Sequence, residues 1–216
     1  MKKLILSTLV TLILFLSSLF SESETKQEII EIKAIPIEET TEVIHTQTPQ
    51  STLDPYETAI LNMQLDMEEI KSIEDKKEWF LAYKDVLFKY KKWIDLPETV
   101  FDCFTSKEVD LILKAVETEC YDQNFESKCN VASVIFNRIE IKGEFGDSVE
   151  EIITRPKQFA YGRDIITEDT ILAVMYAWEI EDTTYGCVAF RSKSKPEKWR
   201  KWERQFIDDA GHGFYK

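Results

Sequence analysis

The 216-residue sequence predicts a mainly α-helical protein. Apolar residues recur at three- and four-residue steps in segment after segment, which is the period of a helix face. Helix-start signatures stand in front of several of those segments. The clearest extended candidate is short, the buried-type run from Cys187 to Phe190. An apolar content of 44% is ample for a core. The formal charge of -13 argues against a nucleic-acid partner, because phosphate binding needs a concentrated basic face.

Taken in order, the chain opens on a segment with Lys2 and Lys3, an apolar run from Leu4 to Phe20, and Ser21 and Ser23 at cleavage-site spacing. This reads as a signal peptide over 1–23 and so as an exported, secreted or wall-associated protein. The run is 17 residues long, so an uncleaved membrane anchor stays open. No other membrane contact is expected. Residues 24–54 form an acidic linker. From Glu22 to Pro55 there are eight acidic residues against two lysines, a net of -6, with no periodicity to build a core.

Asp54, Pro55 and Glu57 supply a cap, a proline at the first helical position and a reciprocal acid. Ile60, Met63, Met67 and Ile70 then mark one face. A second helix over 76–94 carries Phe80, Tyr83, Val86, Leu87, Tyr90 and Ile94 on a stripe. The two predict a helical hairpin, 55–96, as an accessory element docked on a domain spanning 97–216. Thr105 and Glu108 form a capping box for a helix from Ser106. Val109, Ile112, Leu113, Val116 and Cys120 make its apolar stripe, and Asp110, Lys114, Glu117 and Thr118 its opposite side.

Glu119 falls beside that stripe, with Ile112, Ala115 and Val116 behind it. Desolvation there would favour the protonated acid, which is the state a glycosidase needs for protonating a leaving oxygen. A helix-end carboxylate reaching water, or a structural arginine such as Arg138, fits the periodicity as well. The next helix faces inward through Cys129, Ala132, Ile135, Phe136 and Ile139. A short helix capped at Asp147 ends before Arg155 and Pro156. The loop from Lys157 to Arg163 mixes an amide, two aromatics and an arginine, a composition shared by sugar sites and ordinary structured loops. A helix over 168–180, a turn over 182–186 and an exposed basic helix over 193–204 with Trp199 and Trp202 complete the chain.

The run from Val116 to Ile139 resembles the signature of the SleB/CwlJ-type cell wall hydrolase family. In that signature a helix ends in a Glu-containing turn, and a second helix follows an alanine-valine pattern closed by Asn-Arg. Here these parts are Val116 through Glu119 and Val131 through Arg138. Further blocks match at 148–159, 182–190 and 210–215, so the resemblance covers about half the chain, from Thr105 onward. It implies a lysozyme-like fold acting on peptidoglycan glycan strands, with Glu119 as catalytic acid. The Gln158–Phe159 match favours the sugar-site reading of the loop from Lys157 to Arg163, so Gln158, Phe159 and Tyr161 are expected to bind substrate, and Thr184 and Gly186 are expected to line the cleft opposite. The family's second glutamate is replaced by Gln123. A lytic transglycosylase, which needs one carboxylate, is therefore the expected enzyme. Asp122, Glu117 and Asp164 are candidate partners for a hydrolytic route, and a non-catalytic wall-binding module is the alternative class.

Cys103, Cys120, Cys129 and Cys187 are an even set that permits disulfides in three pairings. Their spacing fits no common zinc pattern and the histidines are only His45 and His212, so no metal or other cofactor is expected. His212, between two glycines, reads equally as a capping residue or a site residue.

Overall fold

The computed structural model describes residues 54–141, 143–192 and 202–216. The expected signal segment, nearly all of the linker and the basic run 193–201 lie outside the described residues. Among the described residues no helix is long and apolar enough to cross a membrane.

The opening hairpin follows from its caps. In α1 (Pro55–Ile70) the Asp54 carboxylate accepts from the Tyr56 N–H at 2.9 Å, and Glu57 reaches back to the Asp54 N–H at 3.3 Å. In α2 (Lys76–Tyr90) Asp75 accepts from the Glu78 N–H at 2.8 Å. The helices meet through Ala59, Val86 and Tyr90, flanked by Met63, Met67, Ile70 and Trp93. The far side of α2 is anchored elsewhere. Phe80 is fully buried against Cys129, Ala173 and Tyr176, and Lys84 Nζ lies 2.8 Å from Glu179, whose side chain is inaccessible to solvent.

A short α3 (Val100–Cys103) leads into α4 (Ser106–Glu119), whose Thr105–Glu108 capping box is formed as the spacing requires. The central element is α5 (Phe125–Glu140), capped by Asn124 and buried continuously from Ser127 to Arg138. Around it pack α4, α6 (Val149–Thr154) and α7 (Glu168–Glu179). The cap of α6 is Ser148, one residue beyond the expected Asp147, because the Ser148 hydroxyl is what accepts the Glu151 N–H.

Glu117 of α4 is the first correction to the periodicity. Assigned to the exposed side, it is fully buried. Its Oε2 accepts from the Thr167 N–H at 3.0 Å, the Thr167 hydroxyl at 2.8 Å and the Thr170 hydroxyl at 2.6 Å. It therefore caps α7 from another helix, where orphan N–H groups and the helix dipole favour a carboxylate. Buried Lys128 of α5 donates to the same Thr167 hydroxyl at 3.0 Å. Burial acts against the Glu117 charge, but the Thr170 and Thr167 bonds and the Lys128 charge outweigh it and hold the carboxyl below its ordinary value.

After α7, Asp182 organises the turn. Its Oδ1 accepts from the Thr184 N–H and hydroxyl at 2.9 and 2.7 Å, and its Oδ2 from the Gly186 N–H at 2.5 Å and Asn137 Nδ2 at 3.1 Å. The chain then forms three strands, β1 (Ala189–Ser192), β2 (Arg204–Ile207) and β3 (His212–Tyr215), in the antiparallel order β1-β3-β2. Phe206 and Phe214 stack across one pair at 4.8 Å. The mainly helical class stands, but Arg204, the last residue of the expected basic helix, opens β2, since its segment serves a cross-strand pairing invisible in a window so short. No disulfide joins the four cysteines.

Two stability predictions follow from the buried carboxylates. Lys84→Met leaves Glu179 charged and unpaired, and should cost about 1–3 kcal/mol in urea unfolding at neutral pH. Burial raises the Glu179 carboxyl even beside Lys84. A raised folded value means protonation favours the folded state, so this penalty should shrink as the pH falls toward the carboxylate range. Glu117 has the opposite sign. Its stabilisation is present above the ordinary carboxylate range and is lost as pH falls through the depressed folded value. Glu117→Gln should cost about 1–2 kcal/mol at neutral pH and converge on the wild type in acid, as followed by thermal unfolding at stepped pH.

Candidate active site

Glu119 is the last residue of α4, and the loop that leaves α6 is laid along the final turns of that helix. The Ala160 N–H donates to Glu119 Oε1 at 2.6 Å, the Arg163 N–H to Thr118 Oγ1 at 3.1 Å, and Asp164 lies 3.2 Å from Lys114 Nζ. The loop enters through Lys157, whose φ of 69° turns the chain sharply after Pro156. Ile112, Ala115 and Val116 are buried behind the helix. Glu119 itself is half-buried and faces the loop instead of resting on that stripe.

Beneath the loop lies Arg138, 5% exposed. Its Nε donates to the Val188 carbonyl at 2.6 Å and its Nη1 to Gln158 Oε1 at 2.8 Å. The guanidinium carbon sits 4.6 Å from the ring centres of both Phe145 and Phe159, so two aromatic faces sandwich the cation. Burial pushes this guanidinium down to about 10, and the Glu119 charge acts in the opposite direction. The Gln158 carbonyl is committed to this fixed positive charge, leaving the amide NH2 as the group able to donate outward.

The expected site residues separate into two groups. Gln158 is bonded to Arg138, Glu119 to the loop at Ala160, and Tyr161, 39% exposed, stands on that loop. Phe159 does not offer a face to a sugar. It is 7% exposed, with one side on Arg138 and a ring contact to Phe190 at 6.0 Å, because the buried cation needs that aromatic surface. Thr184 does not line a cleft either. It is fully buried, its hydroxyl spent on Asp182 and on Asn137 Nδ2 at 3.2 Å, and Gly186 belongs to the same turn.

The three candidate partner carboxylates are engaged elsewhere. Glu117 caps α7, Asp122 Oδ1 accepts from Gln123 Nε2 at 2.8 Å, and Asp164 pairs with Lys114. His212 closes a turn: its N–H donates to Asp208 Oδ1 at 2.8 Å and its Nδ1 lies 3.5 Å from Asp208 Oδ2. Among the described residues no three His, Cys, Asp or Glu side chains are grouped as metal ligands. In the sequence Arg138 reads as a structural partner, and its place between Phe136 and Ile139 on an inward helix face is the signal that marks a buried charge. Tyr121 reads as part of a polar loop, and nothing in its neighbours marks it.

Comparison with known proteins adds one family and one fold neighbour. Residues 122–215 match the model of the family described as Cell Wall Hydrolase. That span holds Arg138, Gln158 and Tyr161 and starts just after Glu119. The crystal structure of the catalytic domain of the Bacillus cereus SleB protein is similar at 21% identity and a TM-score of 0.46, over 52% of this chain and 92% of that one. None of the curated proteins is significantly similar. The segment that carries Arg138 and the loop closing on Glu119 is thus similar to the cell wall hydrolase family over residues 122–215.

Proposed function

We propose that the chain is an exported peptidoglycan glycosidase that cuts the glycan strand between its MurNAc and GlcNAc sugars by lytic transglycosylation, with Glu119 as both acid and base. The observation that carries this reading is the division of labour between the two Glu119 oxygens. Oε1 accepts the Ala160 N–H, which leaves Oε2 as the oxygen that holds and moves a proton. In the first step that proton passes to the glycosidic oxygen as the bond to C1 breaks. In the second, the carboxylate takes the proton of the sugar's own 6-hydroxyl while O6 bonds to C1, closing a 1,6-anhydro ring with no water consumed.

Hydrolysis would require a second carboxylate to direct a water. The engagement of Glu117, Asp122 and Asp164 at other groups favours the single-acid route. Gln123, bonded to its own neighbour Asp122, is what favours the second reading, a wall-binding module without turnover. The 1–23 segment supports export, and the wall is then the surface the chain meets.

Residues 24–216 incubated with purified peptidoglycan should release muropeptides lighter by one water than hydrolysis products, as read by mass spectrometry. Glu119→Gln should lower kcat by ~10²–10⁴-fold with an unchanged melting profile. Reducing-end products would assign hydrolysis instead, and retained binding without release from several wall types would assign the binding module.

A further inference from the structure

Tyr121 stands two residues beyond Glu119 and is 52% exposed. The guanidinium carbon of Arg163 lies 3.2 Å from the centre of its ring. A cation at that height over the centre covers one face of the ring completely, so an exposure this large comes from the opposite face. The arrangement is held from both sides. Tyr121 follows directly from α4, and Arg163 is fixed by its own N–H on Thr118 and by the Ala160 bond to Glu119 within the same loop. The guanidinium makes no hydrogen bond among the described residues, so its bonding edge also remains available beside the ring.

Tyr161 is 39% exposed on the same loop but has no cation over its ring among the described residues, and the other aromatic side chains of this region do not offer such a surface. Phe145 and Phe159 are closed on Arg138, and Phe190, Phe206 and Phe214 stack within the sheet. Phe101 and Tyr185 are exposed, but neither has a cation beneath it among the described residues. Tyr121 is the aromatic that is at once exposed, backed and adjacent to the acid.

We propose that the open face of Tyr121 is a stacking subsite for one pyranose ring of the glycan strand, with Arg163 as its support, and that it sets the position of the sugar whose glycosidic oxygen meets Glu119. The proposal rests on the glycosidase reading. The axial C–H groups of a pyranose present an apolar face, and a flat aromatic ring buries that face while the equatorial hydroxyls stay in water. A neutral sugar is favoured over an anionic polymer chain as the occupant because the recognising surface is the ring, and the strand must already pass this point to reach Glu119.

The test uses peptide-free glycan strands as substrate. Tyr121→Ala should raise KM about tenfold with kcat nearly unchanged, the pattern of lost binding common to ground and transition states. Tyr121→Phe should recover most of that loss, and Tyr121→Leu, which keeps apolar bulk without a ring, should not. Arg163→Met should fall between. Phe88→Ala, at a lysine-backed aromatic on the hairpin with Lys91 Nζ 3.6 Å from its ring centre, should be without effect. An unchanged KM in Tyr121→Ala, or full recovery by Tyr121→Leu, overturns the subsite. If the wild type releases no product, the glycosidase reading fails by itself. Calorimetry of the same strands with the Tyr121 variants then decides the subsite: weaker binding in Tyr121→Ala and Tyr121→Leu but not in Tyr121→Phe upholds it, and equal binding in all removes it.

Discussion

The buried carboxylate of Glu117 is the constraint on which the remaining helices depend. A charge without solvent is tolerable only where donors converge on it, and here they come from the first turn of α7, with Lys128 of α5 bridging through Thr167. Three helices are therefore placed by one side chain. Because Glu117 must point into that junction, Glu119 two residues on is rotated out of it, toward the loop at 157–164. The orientation of Glu119 is thus a by-product of a structural bond.

The same economy recurs at Arg138. Its burial is compensated by two carbonyl acceptors and two aromatic faces. The arginine consequently does two things at once. It fixes the position of Gln158, and it supplies a positive charge that cannot swing away from Glu119 as a surface side chain would.

Local rules were legible in the chain wherever the relevant partner was a few residues away. The capping boxes at Asp54 and Thr105, the hairpin and the stop at Pro156 all follow from spacing. Periodicity failed at the junction of α4 and α7, where Glu117 and Glu119 exchange the roles that a helical wheel assigns them. A wheel ranks residues by their apolar neighbours, and Glu117 is buried by polar ones fifty positions away. Phe159 shows the converse. An aromatic beside a glutamine suggests a sugar platform, yet the unpaired cation beneath had first claim on its ring. Of the strands, only β1 is foreshadowed, by the run from Cys187 to Phe190; β2 and β3 are four-residue segments that gain their stability from pairing across the sheet and carry little signal of their own.

The hairpin is joined to the rest by a fully buried Phe80 and by an ion pair whose acidic end is shut off from water. Residues 51–216 accordingly form one compact unit, whereas the recognisable family span begins only at 122. What inheritance preserves as a module is thus shorter than what must fold together. A chain cut at the family boundary would strand Glu179 without a cation and leave an empty socket beside Cys129. The two added helices are therefore no detachable ornament but part of the minimal cooperative body.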